Sequence, residues 1–168
     1  METTAQIVPV RDVTYGQFKK FLDSLDEERK SWSLDWQYYK NDKEFYEGMS
    51  YAIICVYNKE VIGLCNCYKN DVNPEIIEVS FVVKKDYQSQ GIGTTLLNRL
   101  EWDQKKHYGT KYITAKHFKD NIASHKAFLK VGYKEWGLDK IEYSSGKYFH
   151  RKEMVDDDTF DWKIKKIG

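Results

Sequence analysis

The chain has 168 residues, 41% apolar and 32% charged, with a formal net charge of +1. Its length suits one domain over 1–168, able to bury about 70% of its unfolded surface. The near-neutral charge gives no general attraction to nucleic acid or an anionic membrane, and no run approaches the roughly 18 apolar residues of a membrane span. Residues 1–10 have neither a basic region nor an apolar core, so the reading is a cytoplasmic protein. Three cysteines, an odd and small number, read as reduced thiols.

A first strand is expected at residues 6–11, then a helix on which Phe18, Phe21, Leu22 and Leu25 share a face. A second, aromatic helix over 31–47 carries Trp32, Trp36, Tyr38, Tyr39, Phe45 and Tyr46. Residues 51–57 and 61–68 read as apolar strands about the turn Asn58-Lys59, and 76–83 as a β-branched strand containing Glu78. Cys65-x-Cys67 places two thiols on one strand face. His107, His117, His125 and His150 add no metal-like spacing, so buried thiols are expected, with no metal site and no cysteine marked as a nucleophile.

Gln88-Ser89-Gln90-Gly91-Ile92-Gly93 lies where strand 76–83 gives way to a helix on which Leu96, Leu97, Leu100 and Trp102 fall near helical spacing. Gly91 and Gly93 permit close approach and unusual dihedrals, so backbone N–H groups can converge on an anion at the positive end of that helix. A purely structural strand-to-helix turn would use the same glycines. The absence of Gly-Lys-Ser/Thr and of a third glycine excludes a nucleoside-triphosphate loop and a dinucleotide fingerprint. A strand follows at 111–115, then a helix that Asp120 or Asn121 caps, with an apolar stripe of Ala123, Ala127, Phe128 and Val131 and a closing Gly132-Tyr133 pair. Strands are expected at 134–143 and 147–155 around Ser144-Ser145-Gly146. In the tail, 156–168, an acidic turn precedes Phe160, Trp162 and Ile164, which form either a small docking patch or a frayed end.

Gln-x-x-Gly-x-Gly at 88–93, with the helix that Asn121 opens and Gly132-Tyr133 closes, resembles the acetyl-coenzyme A loop and following element of the GNAT family of N-acetyltransferases. The resemblance covers about 53–155. It implies an α/β fold with a mixed, twisted central sheet flanked by helices, in which parallel strands 76–83 and 111–115 splay apart to bind acetyl-coenzyme A. By that resemblance the backbone of Phe81, Val82 and Val83 would pair with the pantetheine arm and offer an oxyanion hole. Gln88, Ser89, Gln90, Gly91, Ile92, Gly93 and Thr94 would surround the pyrophosphate, Asn121 would meet the pantetheine or its phosphate side, and Phe128 would lie near the sulfur. Gln88 and Gln90 stand where the family often has cations, leaving Lys84, Lys85, Lys126 and Lys130 as candidate screening charges.

The implied reaction is acetyl transfer to a primary amine by direct attack on the thioester, without a metal. An alkyl ammonium of pKa about 10 must lose a proton before it can attack, and Glu78 is the candidate base, its alternative reading being a paired or exposed surface carboxylate. Phe128 occupies the place of the family's acidic tyrosine and cannot donate a proton. A thiol of pKa about 8.5 needs less help in leaving than an alkoxide, and Tyr133 is the substitute acid candidate, with Tyr143 and Tyr148 behind it. The acceptor is a small-molecule amine or a protein amino group; nucleic acid and membrane are not expected partners, and a homodimer stays open. The alternative function is a catalytically inactive acyl-coenzyme A-binding or regulatory module, for which Phe128 is the argument.

Overall fold

The computed structural model describes residues 4–25, 39–70, 73–136, 140–142, 148–150 and 160–168. In chain order the strands are β1 (Gln6–Pro9), β2 (Tyr51–Tyr57), β3 (Glu60–Lys69), β4 (Ile76–Val83), β5 (Tyr112–Phe118), β6 (Lys134–Glu135), β7 (Lys140–Glu142), β8 (Tyr148–His150) and β9 (Phe160–Lys166). The α-helices are α1 (Tyr15–Ser24), α2 (Asp42–Gly48), α3 (Ile92–Asp103) and α4 (Ile122–Lys130). Seven strands form one mixed sheet in the order β1-β2-β3-β4-β5-β9-β6, while β7 and β8 pair separately.

Local chemistry explains the elements that build the sheet's scaffold. Thr14 opens α1 with a reciprocal cap: its hydroxyl accepts from the Gln17 amide at 3.1 Å, and Gln17 Oε1 accepts from the Thr14 amide at 2.9 Å. The helix then buries Phe18, Phe21 and Leu22 with Phe45 of α2 against Ile54 and Leu64 of the sheet. Strand alternation sends Ile53, Cys55, Cys65 and Cys67 to the opposite face, where Leu96, Leu97 and Leu100 of α3 cover them. The β2–β3 hairpin turns through Asn58 and Lys59 with φ of 54° and 65°, the left-handed pair whose twist matches that of the flanking strands.

Several sequence expectations are corrected. The first strand stops at Pro9, and Val10–Asp12 is a 3-10 turn. Of the aromatic helix expected over 31–47, the described portion is α2, capped by Asn41, whose side chain accepts from the Glu44 amide; 31–38 lie outside the described residues. Trp102 is 51% exposed instead of joining the leucine stripe, because two residues beyond Leu100 a helix has turned by about 200°. Its ring carries the Lys106 ammonium at 4.5 Å. Of the two late strands, the described portions include β6, β7 and β8, while 137–139, Tyr143, Lys147 and 151–155 lie outside the described residues.

The largest correction is the tail. Residues 160–166 are neither frayed nor a peripheral patch: β9 lies inside the sheet, paired with β5 from Tyr112↔Lys166 to Phe118↔Phe160 and with β6 on its other edge. Trp162 packs with Ile76 and Trp136 on one face, and Lys163 on the other is fully buried.

Candidate active site

β4 and β5 run parallel but pair only through Ile76↔Tyr112, Ile77↔Ile113 and Glu78↔Thr114. Beyond Glu78 each stays with its outer neighbour, β4 on β3 as far as Gly63↔Val83 and β5 on β9 as far as Phe118↔Phe160. The two therefore separate, and a cleft of about 310 Å³ opens between them. On the cleft side, alternate backbone N–H and C=O groups of 79–83 have lost their strand partner, a costly arrangement unless water or a ligand replaces it.

The glycine loop closes one end. Ser89 and Gly91 adopt φ of 62° and 83°, which swings the chain into α3. The Gly91 carbonyl takes the Thr95 amide at 3.0 Å and the Thr94 and Thr95 hydroxyls at 2.9 and 2.8 Å. The amides of Ile92, Gly93 and Thr94 are then first-turn donors without intrahelical acceptors, at the positive end of a 12-residue helix. Gly93 has a separate reason to be glycine: a Cβ there would come within 2.8 Å of the Phe81 ring. Gln88 ties the loop to the strand, its amide donating to the Val83 carbonyl at 3.0 Å.

α4 forms the facing wall. Asn121 caps it, its Oδ1 accepting from the Ser124 amide at 3.1 Å, and Phe128 meets Phe81 edge-on at 5.3 Å. The expected apolar stripe is only partly core. Phe128 is buried, whereas Ala123 and Ala127 line the cleft with Lys126 and Lys130. Of the other two candidate cations, Lys84 lies 3.9 Å from Glu60, and neither it nor Lys85 lines the cleft.

Among the sequence candidates, Phe81, Val82, Val83, Gln88, Ser89, Gly91, Ile92, Gly93, Thr94, Asn121 and Phe128 all line the cleft. Gln90 is exposed outside it. Glu78 is 4% exposed and lies one pleat below the wall residue Ser80, where strand alternation puts both on one face. The Tyr68 hydroxyl donates to Glu78 Oε2. Burial pushes the Glu78 carboxyl above its ordinary pKa, while the Tyr68 hydrogen bond and the charge of Lys116 pull against that rise. Ser80 itself donates to Asn66 Oδ1 at 2.8 Å.

Tyr133 lies elsewhere. It is 3% exposed, behind Phe128 with ring centroids 5.0 Å apart, and its hydroxyl is buried without a hydrogen-bond partner among the described residues. Burial pushes its pKa well up. The candidate substitute acid is thus a core residue and not part of the cleft wall, because Gly132 turns the chain inward as α4 ends.

The structure adds wall residues that the sequence reading missed: Lys116, His117 and Phe118 of β5, and Phe160 of β9. His117 Nε2 lies 3.0 Å from the buried Lys163 ammonium, which also donates to Glu135 at 3.1 Å. An ammonium only donates, so Nε2 accepts and the ring proton sits on Nδ1, 2.8 Å from the Phe118 carbonyl. Burial first, then the Lys163 charge, holds the imidazole pKa low. The missed signal was the alternation in Phe160-Asp161-Trp162-Lys163-Ile164, obscured by its lysines.

Among the described residues no group of three or more His, Cys, Asp and Glu side chains is placed to hold a metal ion, and no helix is long and apolar enough to cross a membrane. The three cysteines are free and buried.

Comparison with solved structures finds the same fold at low identity. An acetyltransferase of the GNAT family from Streptococcus pneumoniae superposes with a TM-score of 0.66 at 18% identity, covering 99% of this chain and 100% of that one. The GNAT domain of S. lividans PAT gives 0.72 at 13% identity, covering 98% and 90%. The structure of yncA from Salmonella typhimurium, solved with its cofactor acetyl-CoA, gives 0.59 at 15% identity, covering 99% and 94%. No curated protein sequence matches the chain significantly. A family model described as Acetyltransferase (GNAT) family matches residues 18–133, well over half the chain and reaching further toward the amino terminus than the motif resemblance, so the protein belongs to the GNAT acetyltransferase family.

Proposed function

We propose that the protein transfers an acetyl group from acetyl-coenzyme A to a primary amine. The observation that carries this reading is the separation of β4 from β5 directly beside the first turn of α3, which sets unpaired strand backbone and convergent amides along one cleft. Those features fit the cosubstrate chemically. The amides of Ile92, Gly93 and Thr94, with Lys126 and Lys130, suit a pyrophosphate. The cleft-side backbone N–H and C=O of Phe81 and the N–H of Val83 suit the amides of a pantetheine arm and can polarise a thioester carbonyl. Acetyl-coenzyme A supplies the activated acetyl group.

Glu78 is the base in this reading. Its raised pKa suits taking a proton from an ammonium, and its place below Ser80 calls for one bridging water to the acceptor nitrogen. The nitrogen bonds to the acetyl carbon as the carbon–sulfur bond breaks; the acylated nitrogen then gives up its surplus proton to solvent, and the sulfur leaves as a thiolate that takes its proton from solvent. That last step needs no tyrosine at Phe128.

Phe128 also favours a second reading, a module that binds an acyl-coenzyme A without turnover. Two measurements separate the readings. Acetyl-coenzyme A at about 100 times its dissociation constant should stabilise the fold by about 2.7 kcal/mol, and a panel of amines should release free thiol. Stabilisation without thiol release selects the binding module; no stabilisation removes both.

A further inference from the structure

The charges around the cleft narrow the acceptor. Its described wall residues include three lysines and no carboxylate. Lys126 and Lys130 stand on α4, but Lys116 stands on β5 and belongs to the other side of the opening. It follows Thr114 by two residues, and Thr114 pairs with Glu78, so strand alternation places Lys116 on the Glu78 face. Its cross-strand partner there is Trp162. The Lys116 ammonium lies 4.7 Å from the Phe160 ring centroid and 5.5 Å from that of Trp162. Among the described residues no carboxylate lies within ion-pairing distance of it. A cation resting on ring faces keeps much of its field for a ligand. Beside it, the Glu78 carboxyl is buried and hydrogen-bonded to Tyr68.

An acceptor entering from this face meets a fixed positive charge one strand away from the base. A polyamine would be repelled, whereas an anion carried by the acceptor itself would be held and would aim its amine at Glu78. Building on the acetyltransferase reading, we propose that the acceptor is an amine bearing its own carboxylate or phosphate, which Lys116 binds while the amine faces Glu78.

The test uses the full chain with acetyl-coenzyme A and matched amines: the common amino acids against their carboxamides, phosphoethanolamine against ethanolamine, and spermidine as the polycation. At least one anionic amine should exceed its neutral partner by about tenfold or more in kcat/KM, the range of a charge-assisted contact. The carboxylate and phosphate arms identify which anion it is. Lys116→Met should erase the preference mainly through KM, and Lys116→Arg should retain it. Equal or better use of the neutral amines or spermidine, or a preference that survives Lys116→Met, overturns the proposal.

If acetyl-coenzyme A stabilises the protein but no amine is turned over, the catalytic reading has failed, and binding decides the acceptor class separately. With coenzyme A present, thermal shifts are compared for N-acetyl amino acids, their amides and N-acetyl phosphoethanolamine. A shift for the anionic member that is lost in Lys116→Met upholds the anion site, and the absence of any such shift overturns it.

Discussion

The two halves of β4 have opposite fates. Ile77 and Glu78 are clamped between β3 and β5, Ile76 beside them pairs with β5, and all three are fully or nearly buried, whereas Ser80, Phe81 and Val82 keep β3, lose β5 and are half-buried along the cleft. The composition of Ile-Ile-Glu-Val-Ser-Phe-Val-Val does not announce the change. It comes from outside the strand: β9 holds β5 along its full length and carries it away, while the side-chain-free Gly93 lets Phe81 settle over the start of α3. A binding edge here is made by what its neighbours do, and the paired half serves as the hinge stock that keeps the open half straight.

The largest expected effect lies at the boundary between the halves. Glu78→Gln should lower turnover by about 10²- to 10⁴-fold, as for a lost general base, with acetyl-coenzyme A stabilisation kept; full activity in this variant would make the carboxylate merely part of the closed half. Gly93→Val attacks the open half. Its new side chain drives the Phe81 ring toward the cleft, so the roughly 2.7 kcal/mol of ligand stabilisation expected at saturating acetyl-coenzyme A should disappear in a melting experiment, while a variant that still responds would place the ligand elsewhere.

Tyr68→Phe sharpens the boundary further. A base works ionised, so kcat/KM should rise with pH through the Glu78 pKa, which burial already raises. Removing the Tyr68 hydrogen bond, which favours the carboxylate, should move that acid limb to higher pH; an unmoved limb would detach Glu78 from the reaction. The smallest effect concerns the wall behind the open half. Tyr133→Phe deletes a buried hydroxyl without a partner among the described residues, so chemical denaturation should show a stability change within about 1 kcal/mol, neutral or favourable, and thiol release should be unchanged. A large loss of turnover would bring that hydroxyl back into the chemistry.

What could be read from the sequence was what local chemistry writes. Gly91 and Gly93 between a β-branched strand and a leucine stripe, and Asn121 ahead of a helix closed by Gly132, state their roles within a few residues. What escaped was set by distant partners. Lys163 looks solvated in Trp-Lys-Ile-Lys-Lys, yet it is fully buried because His117 and Glu135 engage its ammonium. Lys116 looks like any charged surface residue until β9 lays Trp162 beside it. Ala123 and Ala127 have helix-stripe spacing but face a cleft, since periodicity reports which side is apolar and not what stands opposite.

The position of β9 also bears on how the chain is made. Every pairing that covers the far edge of β5 comes from Phe160–Lys166, more than forty residues downstream of that strand. During synthesis β1 to β5 can assemble first, and until the later segment leaves the ribosome β5 is a naked edge of about seven residues, rich in open hydrogen-bonding groups and able to recruit a strand from another nascent chain. The same late strand also contributes Phe160 to the cleft wall, so that wall is complete only once the segment has paired with β5.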